Sequence, residues 1–218
     1  MIKAIIFDMD GTLLDSEKYF FEARIKASKE FGYERMEEHA LVMRGFSSKY
    51  AKAYMKDVMG EDFPFDEIRM RRKEIFAEIQ KERGIQAKKG AKECLEALIE
   101  KGYPIAIATA SDPERAANLL KAAGLYQYFK EENIICATNL KRGKPAPDVY
   151  LFACDRLGIQ PEEGLAVEDA PNGLVSAHSA GMKVVMVPDL SQPDDQLNEM
   201  IDCVIPGLNH LVNIVDKF

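Results

Sequence analysis

Short apolar runs rich in β-branched residues recur along the chain, and stretches with a helical pattern separate them. Such runs, when turn residues bound them, are typical of buried strands. Strands and helices that alternate at this spacing favour a parallel sheet with helices on both faces. We therefore predict an α/β fold built on a Rossmann-like, doubly wound parallel sheet. The predicted strands are residues 2–7, 105–109, 133–137, 165–167 and 183–187, with a weaker sixth at 203–205.

The helical stretches between these runs have punctuated ends. Asp112 is predicted to cap a helix that begins at Pro113 and ends at Gly124. Two further predicted helices, 147–157 and 171–180, begin with proline and are each closed by a glycine, which is the usual asymmetry of helix ends. These boundaries support the alternation of helices with strands in the second part of the chain.

Residues 16–83 interrupt the alternation, because they contain no convincing strand and several helical stripes. We interpret them as an all-helical cap domain inserted into a Rossmann-like core made of residues 1–15 and 84–218. The insertion follows the first strand directly, so it is expected to lie over the carboxyl ends of the strands, where open α/β sheets bind ligands. A lid is its predicted role, and substrate specificity is expected to lie within it.

The charge of the chain argues against some partners. The formal net charge is −7 at pH 7 and no run of five or six like charges occurs, so neither nucleic acid nor an anionic membrane is an expected partner. A negatively charged substrate must therefore be attracted locally. The four cysteines lie far apart without metal-ligand spacing, which indicates a reducing compartment. The apolar segment 1–7 is too short for a signal peptide or a membrane span, so we expect a cytoplasmic protein.

Two carboxylates end the first predicted strand. Asp8 and Asp10 stand at positions i and i+2, which project to the same side of an extended backbone. Gly11 and Thr12 follow directly. A solvated acidic turn would account for a lone pair of this kind, but two aspartates aimed at one point also suit catalysis.

Further polar residues follow later strands. Thr109 ends the second predicted strand and Ser111 lies two residues beyond it, where a hydroxyl can cap a strand end or begin a helix. Lys144 lies between a glycine and a proline, just before a predicted helix. It is either a fixed positive charge or part of a solvated basic loop. Glu168 and Asp169 follow the strand at 165–167, where two acidic residues can form a turn that caps the next helix.

With these motifs in this order, the chain resembles the haloacid dehalogenase superfamily, whose first motif reads Asp-x-Asp-Gly-Thr and matches residues 8–12. The second motif corresponds to Thr109, the third to Lys144, and the fourth to Glu168 with Asp169. The resemblance covers essentially the whole chain. It implies that Asp8 attacks phosphorus to form an aspartyl-phosphate, and that Asp10 acts as general acid and then as general base. It implies further that Thr109 contacts the phosphoryl group and that Lys144 offsets its charge.

The same resemblance implies a Mg²⁺ cofactor. Its ligands would be Asp8, Asp169 and the main-chain carbonyl of Asp10, with Glu168 either a direct ligand or a partner behind the ligands. Phosphate contacts are expected from Gly11, Thr12 and Ser111, which belong to the first two motifs.

The helical insertion after the first motif is similar to the subgroup that contains β-phosphoglucomutase and phosphoglycolate phosphatase. The mutases carry a His where this chain has Phe20, and a cap Arg where it has Ser48. Arg44 or Lys49 could supply the missing cationic contact to substrate. These departures favour a magnesium-dependent phosphatase of small sugar or nucleoside phosphates, with a phosphomutase or a non-catalytic binding protein as the alternatives. Its expected partner is a small phosphorylated metabolite, and a monomer or a weak homo-oligomer is expected.

Overall fold

The computed structural model describes residues 1–218, and its strands form one six-stranded sheet. The strands are β1 (Ala4–Phe7), β2 (Ile105–Thr109), β3 (Ile134–Cys136), β4 (Gly164–Glu168), β5 (Lys183–Met186) and β6 (Cys203–Val204). Their order is β3-β2-β1-β4-β5-β6, and all neighbouring pairs are parallel. The predicted doubly wound parallel sheet is confirmed, and the weak sixth run is indeed an edge strand.

The α-helices are α1 (Glu17–Glu30), α2 (Glu37–Val42), α3 (Ser48–Met59), α4 (Phe65–Arg83), α5 (Ala91–Glu100), α6 (Pro113–Ala122), α7 (Asp148–Leu157), α8 (Pro171–Ser179) and α9 (Asp195–Asn198). The predicted punctuation is present at their ends. Asp112 accepts a hydrogen bond from the Arg115 amide at 3.0 Å and so caps α6. Gly158 closes α7 in the left-handed conformation, which glycine adopts without strain. No helix is both long enough and apolar enough to cross a bilayer.

The two faces of the sheet bury two separate apolar cores. Side chains alternate between the faces, so Ile5 and Phe7 enter one core while Ile6 between them enters the other. Helices α5 and α6 cover the first face, and α7 and α8 cover the second. Full burial of side chains of this size contributes roughly 1.5–3 kcal/mol each to the free energy of folding, so the sheet holds the residues at its carboxyl edge in fixed positions.

Helices α1 to α4 lie between β1 and α5, and no strand lies among them. The rings of Phe20 on α1 and Phe76 on α4 pack with their centroids 4.7 Å apart. The chain leaves the sheet and returns to it through two adjacent segments, because Leu14 forms an antiparallel bridge with Ala87. Two backbone hydrogen bonds flank this bridge. The Asp15 amide donates to the carbonyl of residue 86 at 2.9 Å, and the amide of residue 88 donates to the Leu13 carbonyl at 2.8 Å. The chain thus enters and leaves the helical segment at one place.

Strands β1 and β4 are neighbours in the sheet, although the chain continues from β1 towards β2 on one side and from β4 towards β5 on the other. Connections that diverge in this way open a crevice at the carboxyl ends of the two strands, which is where open α/β sheets bind ligands. Asp8 follows β1 directly, and Asp169 follows β4 directly. The fold therefore brings these two aspartates to the same crevice.

Candidate active site

A buried lysine links two carboxylates at this crevice. Lys144, in the loop before α7, has no exposed surface. Lysine is rarely buried without partners, and here its ammonium donates to Asp8 and to Glu168. Burial alone would lower the pKa of Lys144, but the attraction of the two carboxylates outweighs it and raises the pKa. Lys144 is therefore a fixed positive charge beside Asp8.

Both oxygens of the Glu168 carboxylate are fully used within the protein. One accepts from Lys144 and from the Tyr150 hydroxyl, the latter at 3.0 Å. The other accepts from the amides of the next two residues at 3.0 and 3.1 Å. Helix α8 approaches so closely that a Cβ at Gly173 would overlap this carboxylate. Glycine at 173 is thus required for the position of Glu168.

Asp169 is also buried, and three residues fix it. The Thr12 hydroxyl donates to one carboxylate oxygen at 2.9 Å, and Arg44 donates to the other. Gly11 adopts φ +93° and leaves no room for a Cβ beside this carboxylate. Arg44 itself is buried and also pairs with Glu17 at 3.1 Å. The first motif therefore supports the fourth motif through direct contacts.

The carboxylates of Asp8, Glu168 and Asp169 could hold a cation between them. Each offers an oxygen within 4.8 Å of the others, and all three residues are buried. Burial raises the pKa of Asp8 well above its usual range, and the nearby Glu168 raises it further; the same two causes raise the pKa of Asp169. The two paired cations, Lys144 and Arg44, do not balance three negative charges. Hard oxygen donors with excess negative charge fit a divalent cation such as Mg²⁺.

Asp10 is held by an arginine. Arg115 donates to both of its carboxylate oxygens at 2.8 and 2.9 Å, and Ser16 and Ser111 add hydrogen bonds at 2.6 and 3.0 Å. Burial would raise the pKa of Asp10, but the attraction and hydrogen bonds of Arg115, with those of the serines, outweigh burial and lower the pKa. No hydrogen bond of the chain ends on the main-chain carbonyl of Asp10, which stays free as a ligand.

A cavity of about 380 Å³ lies between the helical insertion and the strand ends. Its sheet side includes Asp8, Asp10, Thr109 and Ser111, and its opposite side includes Phe20. Sites for small ligands usually measure about 300–1,000 Å³, so this cavity suits a small metabolite. The cavity reaches both aspartates of the first motif, so a molecule inside it can meet them together.

The structure places the remaining predicted contacts differently from expectation. Lys49 is exposed and does not line the cavity, so it is not placed to bind a substrate there. Arg44 lines the cavity, but it is already paired with carboxylates. Gly11 and Thr12 contact Asp169 and do not line the cavity, because the tight turn after β1 directs them towards the fourth motif.

Sequence reasoning missed three residues of this site. Arg115 lies in the first turn of α6 just after the second motif, and its place close to a strand end was the only signal available. Tyr150 is fully buried on the apolar face of α7, where a tyrosine hydroxyl needs a partner and finds Glu168. Ser16, directly after the first motif, donates to Asp10.

A family model described as haloacid dehalogenase-like hydrolase matches residues 5–187 of the chain. Hexitol phosphatase A of Escherichia coli (strain K12) is 32% identical over 211 residues, which cover 96% of this chain and 93% of that protein. The phosphorylated carbohydrates phosphatase of Thermotoga maritima (strain ATCC 43589 / DSM 3109 / JCM 10099 / NBRC 100826 / MSB8) is 31% identical over 188 residues, with coverage of 84% and 83%. The predicted relationship is therefore confirmed by sequence over nearly the full length of the chain.

Solved structures agree with this fold. The β-phosphoglucomutase of Clostridium difficile superposes with a TM-score of 0.82 at 22% identity, covering 100% of this chain and 96% of that one. At this identity the likeness concerns the fold alone. The family match, which spans most of the sequence, shows that the chain belongs to the haloacid dehalogenase-like hydrolases, and its relatives place it among the phosphatases of that family.

Proposed function

We propose that the chain is a magnesium-dependent phosphatase that hydrolyses small phosphomonoesters, of the sugar or nucleoside phosphate class, through an aspartyl-phosphate on Asp8. The observation that carries this proposal is the setting of Asp8. Its buried carboxylate borders a metabolite-sized cavity, with the ammonium of Lys144 on one oxygen. Lys144 favours the ionised form of Asp8, which is the nucleophile, and the cavity limits competition from bulk water.

The reaction has two displacements. In the first, an Asp8 oxygen bonds to phosphorus, the ester P–O bond breaks, and the leaving oxygen takes a proton from Asp10. In the second, a water oxygen bonds to phosphorus, Asp10 takes the proton from that water, and the bond between Asp8 and phosphorus breaks to release inorganic phosphate. Lys144 offsets the negative charge that gathers at phosphorus, and the Thr109 hydroxyl donates to a phosphoryl oxygen.

Asp10 must be protonated for the first displacement and ionised for the second. With Arg115 on both oxygens, it is ionised and therefore prepared for the second. A phosphoryl dianion raises the pKa of a neighbouring carboxylate, so an arriving substrate favours the protonated form that the first displacement requires. Ser111 contacts both Asp10 and Arg115 and lines the same cavity as Asp10. Its hydroxyl is therefore also in reach of the substrate phosphate.

We assign the magnesium ligands to Asp8, Asp169 and the main-chain carbonyl of Asp10. When bound, the ion would neutralise phosphoryl charge and the mutual repulsion of the carboxylates. Glu168 is assigned to positioning Lys144 rather than to the ion, since its oxygens already accept four hydrogen bonds.

We further propose that residues 16–83 act as the cap and that residues 1–15 and 84–218 form the catalytic core. The cap helices supply one side of the cavity, so they are in place to exclude water and to select the leaving group. A phosphorylated sugar or sugar alcohol is the favoured substrate class, since the Thermotoga maritima and Escherichia coli relatives are named as phosphatases of phosphorylated carbohydrates and of hexitols.

A phosphomutase is the less favoured alternative. Phe20 occupies the cavity wall beside Arg115, and its ring carries no proton to transfer. We also propose a cytoplasmic location, which the four unpaired cysteines support, and a monomer or weak homo-oligomer as the working form.

The test is a release assay for inorganic phosphate with magnesium, over a panel of sugar phosphates, hexitol phosphates, nucleoside monophosphates and phosphoglycolate. We expect turnover of at least one sugar or hexitol phosphate, and loss of turnover in Asp8→Asn. Conversion of β-glucose 1-phosphate to glucose 6-phosphate without phosphate release would establish the mutase instead. No turnover of any member would favour a non-catalytic binding protein.

A further inference from the structure

Three arginines border the cavity without a carboxylate partner. Arg24 on α1, and Arg69 and Arg72 on α4, line it, yet none of the three forms an ion pair. The other two arginines of the cavity wall, Arg44 and Arg115, are both paired with carboxylates. The only carboxylate that lines the cap side of the cavity is Glu17, which pairs with Arg44, so positive charge exceeds negative charge on that side.

These arginines also have unused hydrogen-bond donors. The Nε atoms of Arg69 and Arg72 are buried and have no hydrogen-bond partner. Arg24 uses one donor, to the main-chain carbonyl of Ala40 at 3.0 Å. Buried polar groups are hydrogen-bonded in the great majority of cases, and a guanidinium has five donors. Donors left over in a cavity point to a ligand that accepts from them.

Two of the cavity guanidiniums lie over the ring of Phe20. The guanidinium carbon of Arg72 lies 4.5 Å from the centroid of this ring, and that of Arg115 lies 4.3 Å from it. Burial lowers the pKa of Arg72 well below its usual range, and the neighbouring guanidiniums of Arg24, Arg115 and Arg69 lower it further. Glu17 offsets part of this repulsion, and an anion bound in the cavity would relieve more of it, since arginine does not lose its proton in proteins.

We propose that Arg24, Arg69 and Arg72 form a subsite for a second anionic group of the substrate, remote from the phosphoryl group that Asp8 attacks. Guanidiniums match the planar oxygen pairs of phosphate and carboxylate, so the substrate is a bifunctional metabolite such as a sugar bisphosphate or a phosphorylated sugar acid. This inference rests on the proposed function in one respect only, namely that the reacting phosphate lies beside Asp8.

This subsite is not the one expected from the sequence. Arg44 and Lys49 were the expected cationic contacts, but one is paired and the other is exposed outside the cavity. The arginines of the subsite belong to the helices α1 and α4, which pack against each other. They therefore form part of a rigid wall rather than of a loop.

The test uses three hexose derivatives that share a C6 phosphate and differ at C1. Glucose 6-phosphate is uncharged there, 6-phosphogluconate carries a carboxylate, and glucose 1,6-bisphosphate carries a phosphate. Binding is measured by calorimetry with magnesium in Asp8→Asn, which prevents turnover. We expect at least one of the two anionic ligands to bind tenfold or more tightly than glucose 6-phosphate, and the stronger of the two identifies the second group.

Addition of Arg72→Gln or Arg69→Gln should reduce that preference to less than threefold, and two separate variants guard against misfolding of either one. Arg71→Gln is the matched control, because Arg71 lies next to Arg72 but pairs with Glu30 and Glu74 on the surface. It should keep the preference unchanged.

Equal affinity for all three ligands would overturn the subsite, as would a preference that survives in both arginine variants. The outcomes separate the two proposals. An arginine-dependent preference in a protein that hydrolyses no phosphomonoester would retain the subsite and reject the phosphatase. Hydrolysis of hexose monophosphates that carry no second charge, without any preference for the two doubly anionic ligands, would retain the phosphatase and reject the subsite.

Discussion

Arg115 donates from two guanidinium nitrogens to the two carboxylate oxygens of Asp10, at 2.8 and 2.9 Å. Such a two-point contact between charged groups is stronger than a single hydrogen bond and fixes the plane of the carboxylate. It holds the pKa of Asp10 below its usual range, although Asp10 is mostly buried. The proton chemistry of the proposed reaction is thus controlled from the first turn of α6.

Arg115→Gln should destabilise the fold in a pH-dependent way. Because the folded-state pKa of Asp10 is lowered, its ionised form contributes stability above the unfolded value near 4. That contribution is lost as the pH falls through the folded value. We expect the variant to lose about 1–3 kcal/mol of unfolding free energy at pH 7. The loss should shrink at pH 3, as measured by urea titration, while Arg156→Gln on the exposed face of α7 should show no such trend.

Asp8→Asn should abolish turnover and yet leave the metal-free fold as stable as before or more stable. The pKa of Asp8 is raised, so its stabilising form is the protonated one. That contribution is present below the unfolded value and is lost as the pH rises through the folded value. At pH 7.5 the neutral amide should raise the melting temperature, by about 2–4 °C per kcal/mol. A large fall in the metal-free melting temperature would contradict this account of Asp8.

Lys144→Met should be among the most destabilising single changes in the core. It leaves the buried carboxylates of Asp8 and Glu168 without their shared cation. Loss of one partner from a buried charge cluster typically costs about 3–5 kcal/mol. Chemical denaturation measures the loss, and Lys141→Met, an exposed lysine of the same loop, is the control. Equal stability of the two variants would remove Lys144 from its structural role.

Magnesium should restore the activity that excess chelator removes, whereas calcium, with its looser coordination, should restore little. Magnesium should also raise the melting temperature, because a ligand at 100 times its Kd stabilises the folded state by about 2.7 kcal/mol. Asp169→Asn should lose most of this thermal shift, and Asp155→Asn, on the exposed face of α7, should keep it. A full shift in the Asp169 variant would reject Asp169 as a ligand.

The core could be predicted from the sequence because its signals are local. The strands are continuous apolar runs, as expected for strands that are buried on both faces, and Asp112, Pro113 and Gly158 mark helix ends by their own backbone chemistry. Parallel strands bring their carboxyl ends to one edge, so Asp8 and Asp169 could be expected to meet there.

The cap wall of the cavity could not be predicted in the same way. The direction in which Arg72 or Lys49 points depends on how α3 and α4 pack over the sheet, and both residues carry the same charge in the sequence. Arg115 is likewise recognisable only once β1 and α6 are side by side. Long charged side chains make their contacts across elements, and the sequence pattern within one element does not encode those contacts.

The bridge between Leu14 and Ala87 has a consequence for how proteins of this shape can diversify. Since the outgoing and returning chain segments run side by side, the 68 residues from 16 to 83 are connected to the remainder of the chain through a single narrow neck. Exchange of everything beyond that neck would leave the strand register untouched, provided that the new segment supplies a cation in place of Arg44, which donates to Asp169. A chimaera with a foreign helical segment grafted at this junction should keep the phosphoryl chemistry of one parent and acquire the substrate preference of the other.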